Sequence, residues 1–222
     1  MMQVIFSFFR NWANRINRLI LHLVYPFYQL KKNPIPSKGI VEWSTDIFYY
    51  LMDCAAIPEF YYFFFRIVKW KIRRLTPAEI ELGQAVFGNS IRYDSVRIDD
   101  DAKLGTQKIA VAYVSFNMIN FRKNIKKEIF IHELVHIWQF QQFGSIYLAR
   151  AIKAQRSKEG YDYGGVANLY QEMLKGGRLL DFNFEQQADI IEDYYKTCVK
   201  NKYTPGAMQT QIYKYFVDQL KI

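Results

Sequence analysis

Apolar residues recur at helical spacing along most of this chain, and only a central stretch has the character of strands. Residues 91–98 and 108–121 are rich in β-branched and aromatic residues, which predicts strands. Helices are expected at 77–87, 124–143, 145–156, 166–175, 183–200 and from Pro205 to the C-terminus. The pattern therefore predicts an α+β fold, mostly helical, with a small β-sheet and a helical N-terminal extension.

Two capping boxes mark where helices should begin. In the sequence TPAE, Thr76 can cap a helix, Pro77 takes its first position and Glu79 closes the box. Asn183 and Gln186 have the same spacing further along the chain. Both helices are therefore expected to start at these residues.

Composition changes along the chain suggest two parts, a basic and aromatic-rich helical region at 1–75 and a folded domain at 76–222. Residues 1–75 hold eleven Lys/Arg and four Asp/Glu, and the whole chain has a formal net charge of +9. A local partner is therefore expected rather than a general affinity for polyanions. Nucleic acid is not expected, because the basic run at 121–127 has no aromatic stacking platform beside it.

Two N-terminal segments raise the question of a membrane. Residues 19–30 are too short to span a bilayer, and residues 47–70 contain four span-breaking residues, Asp53, Pro58, Glu59 and Arg66. A buried, aromatic-rich helical pair is the expectation for 47–70. The alternative is a monotopic surface through which residues 1–75 bind an anionic membrane.

Cysteine usage bears on the compartment. Cys54 and Cys198 are too few and too far apart for a disulfide framework, and they fit a reducing compartment. The expected location is therefore cytoplasmic or peripherally membrane-associated.

The sequence HELVH at 132–136 carries the candidate chemistry. Residues four apart share a helix face, so His132 and His136 can bind one zinc ion. Glu133 lies beside the first ligand and can act as general base on a zinc-activated water. Two of the three histidines in the chain lie in this motif, on a helix that should end at Gly144. The motif predicts a zinc metallopeptidase that hydrolyses peptides or proteins.

The third zinc ligand must come from elsewhere in the chain. A metzincin would need Gly and His where this sequence has Gln139 and Gln142, and the remaining histidine, His22, lies in a distant basic segment. A carboxylate is therefore expected. In NFEQQAD, Glu185 and Asp189 are four apart and can face the same way, although a solvated acidic face would show the same spacing.

This arrangement resembles the gluzincin metallopeptidases, whose third ligand is a Glu in an ExxxD pattern downstream of HExxH. The resemblance implies that Glu185 binds zinc, and that Asp189 accepts a hydrogen bond from a ligand histidine, His132. HELVHIWQFQQ is also similar to the HExxHxxQ helix of small bacterial metallopeptidase-like domains associated with phage-tail-like injection systems. Over residues 76–200 these resemblances imply a zincin-like domain and a bacterial origin.

Stabilising the oxyanion of peptide hydrolysis needs a further hydrogen-bond donor. In gluzincin-like enzymes it is often a Tyr or His, and no histidine is spare here. Tyr161 or Tyr163, in the glycine-rich sequence EGYDYGG, is the candidate, with a packing role as the alternative for either. The strand at 108–121 can pair with an extended peptide substrate or with a neighbouring strand.

A second function class remains open at this point. The chain can be a non-catalytic structural or interaction protein on a peptidase-like fold, in which zinc only holds helices together. Glu133 counts against this alternative, because a purely structural site has no use for a base.

Overall fold

The computed structural model describes residues 2–28, 37, 39–69, 71–103, 111–200 and 207–221. Nine helices and four strands lie in these ranges. The helices are α1 Met2–Tyr28, α2 Ile40–Cys54, α3 Ile57–Val68, α4 Pro77–Phe87, α5 Lys127–Phe143, α6 Ile146–Gln155, α7 Gly165–Leu174, α8 Phe184–Tyr194 and α9 Met208–Val217. The strands are β1 Arg73–Arg74, β2 Arg97–Asp99, β3 Ala112–Ser115 and β4 Met118–Phe121. The expected α+β fold, mostly helical with a small sheet, is confirmed.

The four strands form one mixed sheet in the order β1-β2-β4-β3. β2 and β4 run parallel, whereas β1 pairs with β2 and β3 pairs with β4 in antiparallel fashion. β3 and β4 form a hairpin whose turn contains Phe116 at a φ of 59°. The Tyr147 hydroxyl on α6 accepts from the Phe116 backbone N–H (2.9 Å) and donates to the Val114 carbonyl (3.0 Å). This bond pair fixes the hairpin against the helical layer.

The centre of the molecule is α5, which is buried without a break from Phe130 to Phe140. One side packs on β3 and β4, and the other packs extensively on α8. Trp138 is fully buried and donates to the carbonyl of Leu220 (3.2 Å), which ties the C-terminal segment to α5. A helix enclosed on all sides can bury polar residues only where a neighbouring element satisfies them. The groups that contact His132 and His136 therefore determine which chemistry α5 can support.

The N-terminal helices are joined to the end of α5 through Asp53, which is buried on α2. Its carboxylate accepts from the Ser145 backbone N–H (2.9 Å) and the Ser145 hydroxyl (2.6 Å), where α6 begins. Arg18 on α1 donates to the Gln142 carbonyl at 3.1 Å. Gly144 has a φ of 78°, and a Cβ there would collide with the Asp53 carboxylate. Glycine is therefore required where α5 ends.

The strand prediction for 91–98 is wrong over most of its length, because Tyr93–Ser95 forms a 3₁₀ turn and β2 begins at Arg97. The Gln141 side chain accounts for this difference. Its Oε1 accepts from the Arg92 backbone N–H (2.8 Å) and its Nε2 donates to the Arg92 carbonyl (3.4 Å). These bonds occupy the N–H and carbonyl of Arg92, and the Ser95 backbone N–H also donates to that carbonyl (3.1 Å), so the chain turns here instead of forming a ladder.

The strand predicted at 108–121 is a hairpin of two short strands, β3 and β4, and its residues 108–110 lie outside the described ranges. The helix predicted at 124–143 begins three residues later, at Lys127, and ends before Gly144 as expected. The helix predicted at 183–200 is α only to Tyr194 and continues as a π-helix, Tyr195–Lys200. Both predicted capping boxes are confirmed.

Within the predicted segment 47–70, residues 47–69 are described and form a helical pair as expected, but the expectation that the pair is buried is wrong. α2 and α3 are separated by a tight turn in which Ala56 adopts a φ of 57°. Several large apolar side chains of the pair point outward, among them Phe48, Phe60 and Phe63. Within the described residues, no helix has the length and apolar character needed to cross a bilayer.

Candidate metal centre

α5 and α8 pack against each other and bring three side chains to one point. His132 and His136 lie one helical turn apart on α5, and Glu185 lies in the first turn of α8. One Glu185 oxygen, Oε2, is 3.4 Å from His132 Nε2 and 3.5 Å from His136 Nε2. The sequence-predicted ligand set is thus gathered in one cluster, whose potential donor atoms all lie within 4.8 Å of one another.

The geometry of this cluster fits a metal ion. Glu185 is 0% exposed, and its Oε2 has no hydrogen-bond partner within the described residues. Its other oxygen, Oε1, accepts from Gln155 Nε2 at 2.9 Å, which leaves Oε2 as the atom facing the histidines. Ligand atoms at about 2.0–2.2 Å from a tetrahedral zinc ion are separated by about 3.3–3.6 Å. The observed 3.4 and 3.5 Å agree with this, so the buried group can bind a metal ion.

The imidazole of His136 is oriented by Gln139, one turn further along α5. Gln139 Nε2 donates to the Phe184 carbonyl (3.0 Å) and to Gln187 Oε1 (3.0 Å), which uses both of its N–H groups. Its Oε1 must therefore accept from His136 Nδ1, 2.8 Å away. This fixes the proton of neutral His136 on Nδ1 and leaves the lone pair of Nε2 directed at the cluster.

The imidazole of His132 is oriented by two carboxylates on α8. Its Nδ1 is 3.2 Å from Asp189 Oδ1 and 3.1 Å from Glu192 Oε2. The other Glu192 oxygen pairs with Lys196 at 2.7 Å. Acceptors on the Nδ1 side place the His132 proton there and leave Nε2 free to bind a metal.

The electrostatics of the cluster also favour a bound cation. Burial alone would lower the pKa of His132, but the carboxylates of Asp189, Glu185 and Glu192 raise it well above 6.5. Burial likewise opposes the charge on His136, and Glu185 outweighs it, so the pKa of His136 is raised. Burial would raise the pKa of Glu185, but the two histidines hold it far below its usual range. Without a metal, the cluster therefore attracts protons as its counter-charge.

Glu133 lies beside the cluster and has a different environment. It is almost fully buried, and its Oε2 has no hydrogen-bond partner within the part of the chain that the structure describes. Burial raises the pKa of Glu133, and the positive charge that His136 and His132 can carry lowers it again. A carboxylate that is desolvated and not held by hydrogen bonds is suited to accept and release a proton.

The two tyrosines of EGYDYGG lie in different surroundings. The ring of Tyr161 lies 6.0 Å from the ring of His132, and 44% of the residue is exposed. Burial, followed by the Glu185 carboxylate, raises the pKa of Tyr161 to about 12, so the phenol keeps its proton. The hydroxyl of Tyr163 instead donates to Asp193 (2.7 Å) and contacts the Tyr213 hydroxyl (2.9 Å). Tyr161 thus borders the cluster, whereas Tyr163 joins helices.

The remaining histidine, His22, and the cysteine on the π-helix, Cys198, lie apart from this cluster. His22 is buried on α1, where its Nε2 is 3.1 Å from the Trp43 carbonyl and its ring stacks on Trp43. Cys198 is half-buried in the π-helix, with its Sγ 3.7 Å from the Thr210 hydroxyl. Neither belongs to the groups of potential metal donors found among the described residues.

Sequence reasoning gave no role to three polar residues at the cluster, Gln139, Glu192 and Gln155. Spacing could have indicated two of them. Gln139 is three residues after His136, and Glu192 is seven after Glu185, so each shares a helix face with its neighbour. No local signal could have indicated Gln155, because it reaches Glu185 from α6 through the tertiary fold.

Comparison with known proteins relates the chain to a secretion protein. No family model matches it. Over 136 residues, 55% of its length, the chain is 30% identical to the type VI secretion system spike protein VgrG2b of Pseudomonas aeruginosa, and the match covers 13% of that protein. The solved effector domain of P. aeruginosa VgrG2b is 25% identical, with a TM-score of 0.41, over 64% of this chain and 80% of that domain. The chain is thus related in sequence to a small part of the spike protein.

Proposed function

We propose that the chain is a zinc-dependent metallopeptidase that hydrolyses peptide bonds in protein substrates. The observation that carries the proposal is the convergence of His132 Nε2, His136 Nε2 and Glu185 Oε2. Glu133 lies beside them, and its Oε2 has no hydrogen-bond partner among the described residues. A ligand set of two histidines and one carboxylate is typical of catalytic zinc, which keeps a fourth position open. The sequence relationship to VgrG2b, a type VI secretion system spike protein, supports a role in bacterial secretion.

The residues around the cluster divide the chemistry between them. His132, His136 and Glu185 would hold the zinc ion, which supplies an electrophile for the scissile carbonyl and lowers the pKa of water. Glu133 takes the proton from the attacking water and returns it to the leaving amine, a role that fits its raised pKa. Tyr161 keeps its phenolic proton and is proposed to donate it as a hydrogen bond to the oxyanion.

The substrate is proposed to approach from the side of Tyr161. The metal-facing residues are nearly buried, whereas Tyr161 is exposed beside His132 and therefore marks the rim of the site. β3 lies at the edge of the sheet and packs on α5, so an extended peptide can add to it as a further strand. A cavity of about 510 Å³ lies elsewhere, between α1, α3 and the β3–β4 turn, and no residue of the metal cluster lines it.

Glu133→Gln tests the proposal directly. The variant should keep its zinc, because Glu133 is not a ligand, but should lose turnover by about 10²- to 10⁴-fold. Zinc content is measured by plasma mass spectrometry, and cleavage of a peptide library by mass spectrometry of the products. Glu128→Gln is the matched control, since it makes the same change on the same helix at a carboxylate that pairs with Lys200.

The alternative is a zinc-stabilised domain without catalysis, and the near-complete burial of the cluster supports it. It predicts that chelation lowers the melting temperature while wild type shows no cleavage in any library. Equal cleavage by wild type and Glu133→Gln would also contradict the proposal, because the hydrolysis would then need no base at this position.

A further inference from the structure

The outward face of α3 is apolar. Phe60, Phe63, Phe64 and Ile67 recur at intervals of three and four residues, so they share one face of the helix. Phe60, Phe63 and Ile67 are 66%, 61% and 60% exposed. The solvent-facing side of a helix normally carries charged and polar residues, so this face has the reverse of the usual pattern. We call these four residues the α3 stripe.

The inward face of α3 explains why the stripe points away from the core. Tyr61 packs edge-on against Phe116, with ring centroids 5.3 Å apart. The hydroxyl of Tyr62 accepts from Arg97 Nε at 3.1 Å, and Arg97 also lies over the Tyr62 ring. Turning the stripe inward would break these contacts with the sheet. The contacts of Tyr61 and Tyr62 therefore keep the α3 stripe on the outward face of the helix.

The neighbouring helices share this surface character. Among the described side chains that are exposed between Trp12 and Val68, only Glu59 and Arg66 are charged, and Glu59 pairs with Arg15. The exposed residues of α1 and α2 include Ile20, Val41, Phe48 and Leu51. Large apolar side chains exposed in this number on consecutive helices are uncommon on a monomer, and they favour a site of contact.

Cationic side chains follow the stripe at the C-terminal end of α3. Arg66 and Arg74 are exposed, and the side chain of Lys71 is 74% exposed although it pairs with Asp101 at the surface. A surface ion pair of this kind is weak and can exchange for another anion. Arg15, Lys69 and Arg73 pair with acids, so Arg66, Lys71 and Arg74 are the exposed cations described at this end of the helix. Apolar rings beside excess positive charge complement the interface of an anionic lipid bilayer.

We propose that α3 docks the protein on the surface of an anionic bilayer. The α3 stripe enters the interfacial layer, and the Lys/Arg side chains at the end of the helix contact the headgroup phosphates. α3 lies in the plane of the interface, since its twelve residues are too few to span a bilayer. The docking surface uses none of the residues of the metal cluster.

The test compares the full-length protein with two variants in vesicle co-sedimentation. The vesicles contain phosphatidylcholine alone or phosphatidylcholine mixed with phosphatidylglycerol. Wild type should bind the mixed vesicles, and the double variant Phe63→Ser/Ile67→Ser should bind them about tenfold or more weakly. Leu174→Ser is the matched control, because Leu174 is 62% exposed on α7, outside this surface. Thermal melting and zinc content verify that each variant is folded.

Three results would overturn the proposal. They are wild type remaining in the supernatant with mixed vesicles, equal binding by wild type and the double variant, and equal binding of wild type to both lipid compositions. A wild-type dimer that the double variant converts to a monomer, without lipid binding, would assign the surface to a second copy of the chain. Zinc content and peptidase activity are measured without lipid, so each of these outcomes leaves the metallopeptidase proposal standing.

Discussion

Replacing Gln139 by methionine should weaken zinc binding while leaving α5 in place. The two side chains are similar in length, but methionine lacks the oxygen that accepts from His136 Nδ1 at 2.8 Å. It also cannot donate to Phe184 and Gln187, whose oxygens lie 3.0 Å from Gln139 Nε2. Without an acceptor on the Nδ1 side, the proton of His136 is free to move to Nε2, the atom that must bind the metal.

The expected loss of zinc affinity follows from the burial of the hydrogen bonds that Gln139 makes. A buried N–H left without an acceptor costs about 1–3 kcal/mol. At about 1.4 kcal/mol for each factor of ten, this corresponds to a roughly 5- to 150-fold loss of zinc affinity. Loss of a partner that orients a ligand histidine typically costs about 10- to 100-fold in metal affinity, in agreement. The loss of the bonds to Phe184 and Gln187 lowers folding stability as well.

The assay is a zinc titration in competition with a chromophoric chelator, on wild type, Gln139→Met and Gln141→Met. Gln141 is a matched control because it lies on the same helix and its Nε2 donates to Asn117 Oδ1 (2.9 Å), away from the histidines. Gln141→Met should therefore lose stability but keep the wild-type Kd for zinc. If both variants bound zinc as tightly as wild type, Gln139 would not set the tautomer of His136.

Two further predictions concern pH and the tyrosines. Because the pKa values of His132 and His136 are raised in the metal-free chain, their protonation stabilises that form below pH 6.5, and this contribution is lost as pH rises through the raised values. The rise in melting temperature on adding zinc should therefore be larger at about pH 8 than at about pH 6 in differential scanning fluorimetry, and the opposite order would contradict it. Tyr161→Phe should lower kcat by about 100-fold or more without changing the melting temperature. Tyr163→Phe should leave kcat unchanged and lower the free energy of unfolding by about 1 kcal/mol in urea titrations, because it loses the bond to Asp193. If instead Tyr163→Phe lowered kcat and Tyr161→Phe lowered only stability, the two roles would be exchanged.

The parts of the fold that the sequence predicted are those governed by local chemistry. Thr76 and Asn183 begin helices because each side chain accepts from the backbone within its own first turn, a pattern visible in four consecutive residues. His132 and His136 share a face because helical spacing requires it. Local rules of this kind hold wherever the surrounding structure does not compete with them.

The predictions that were wrong concern segments whose conformation depends on a side chain distant in sequence. The segment 91–98 has strand-forming residues, but Gln141 on α5 binds the backbone of Arg92 and no ladder forms there. The apolar residues of α3 suggested burial, but Tyr62 is held by Arg97 and sets the helix with its apolar stripe outward. Neither Gln141 nor Arg97 is close in sequence to the segment that it controls.

The bonds between Asp53 and Ser145 bear on how this chain can be divided. A fragment that kept only residues 76–222 would lose the carboxylate that caps the start of α6 and the guanidinium of Arg18 that covers the Gln142 carbonyl. The first turn of α6 follows directly on the helix that carries both histidines. Transferring the segment that carries both histidines into another protein would therefore also require the N-terminal helices, or other groups that replace these bonds at the junction of α5 and α6.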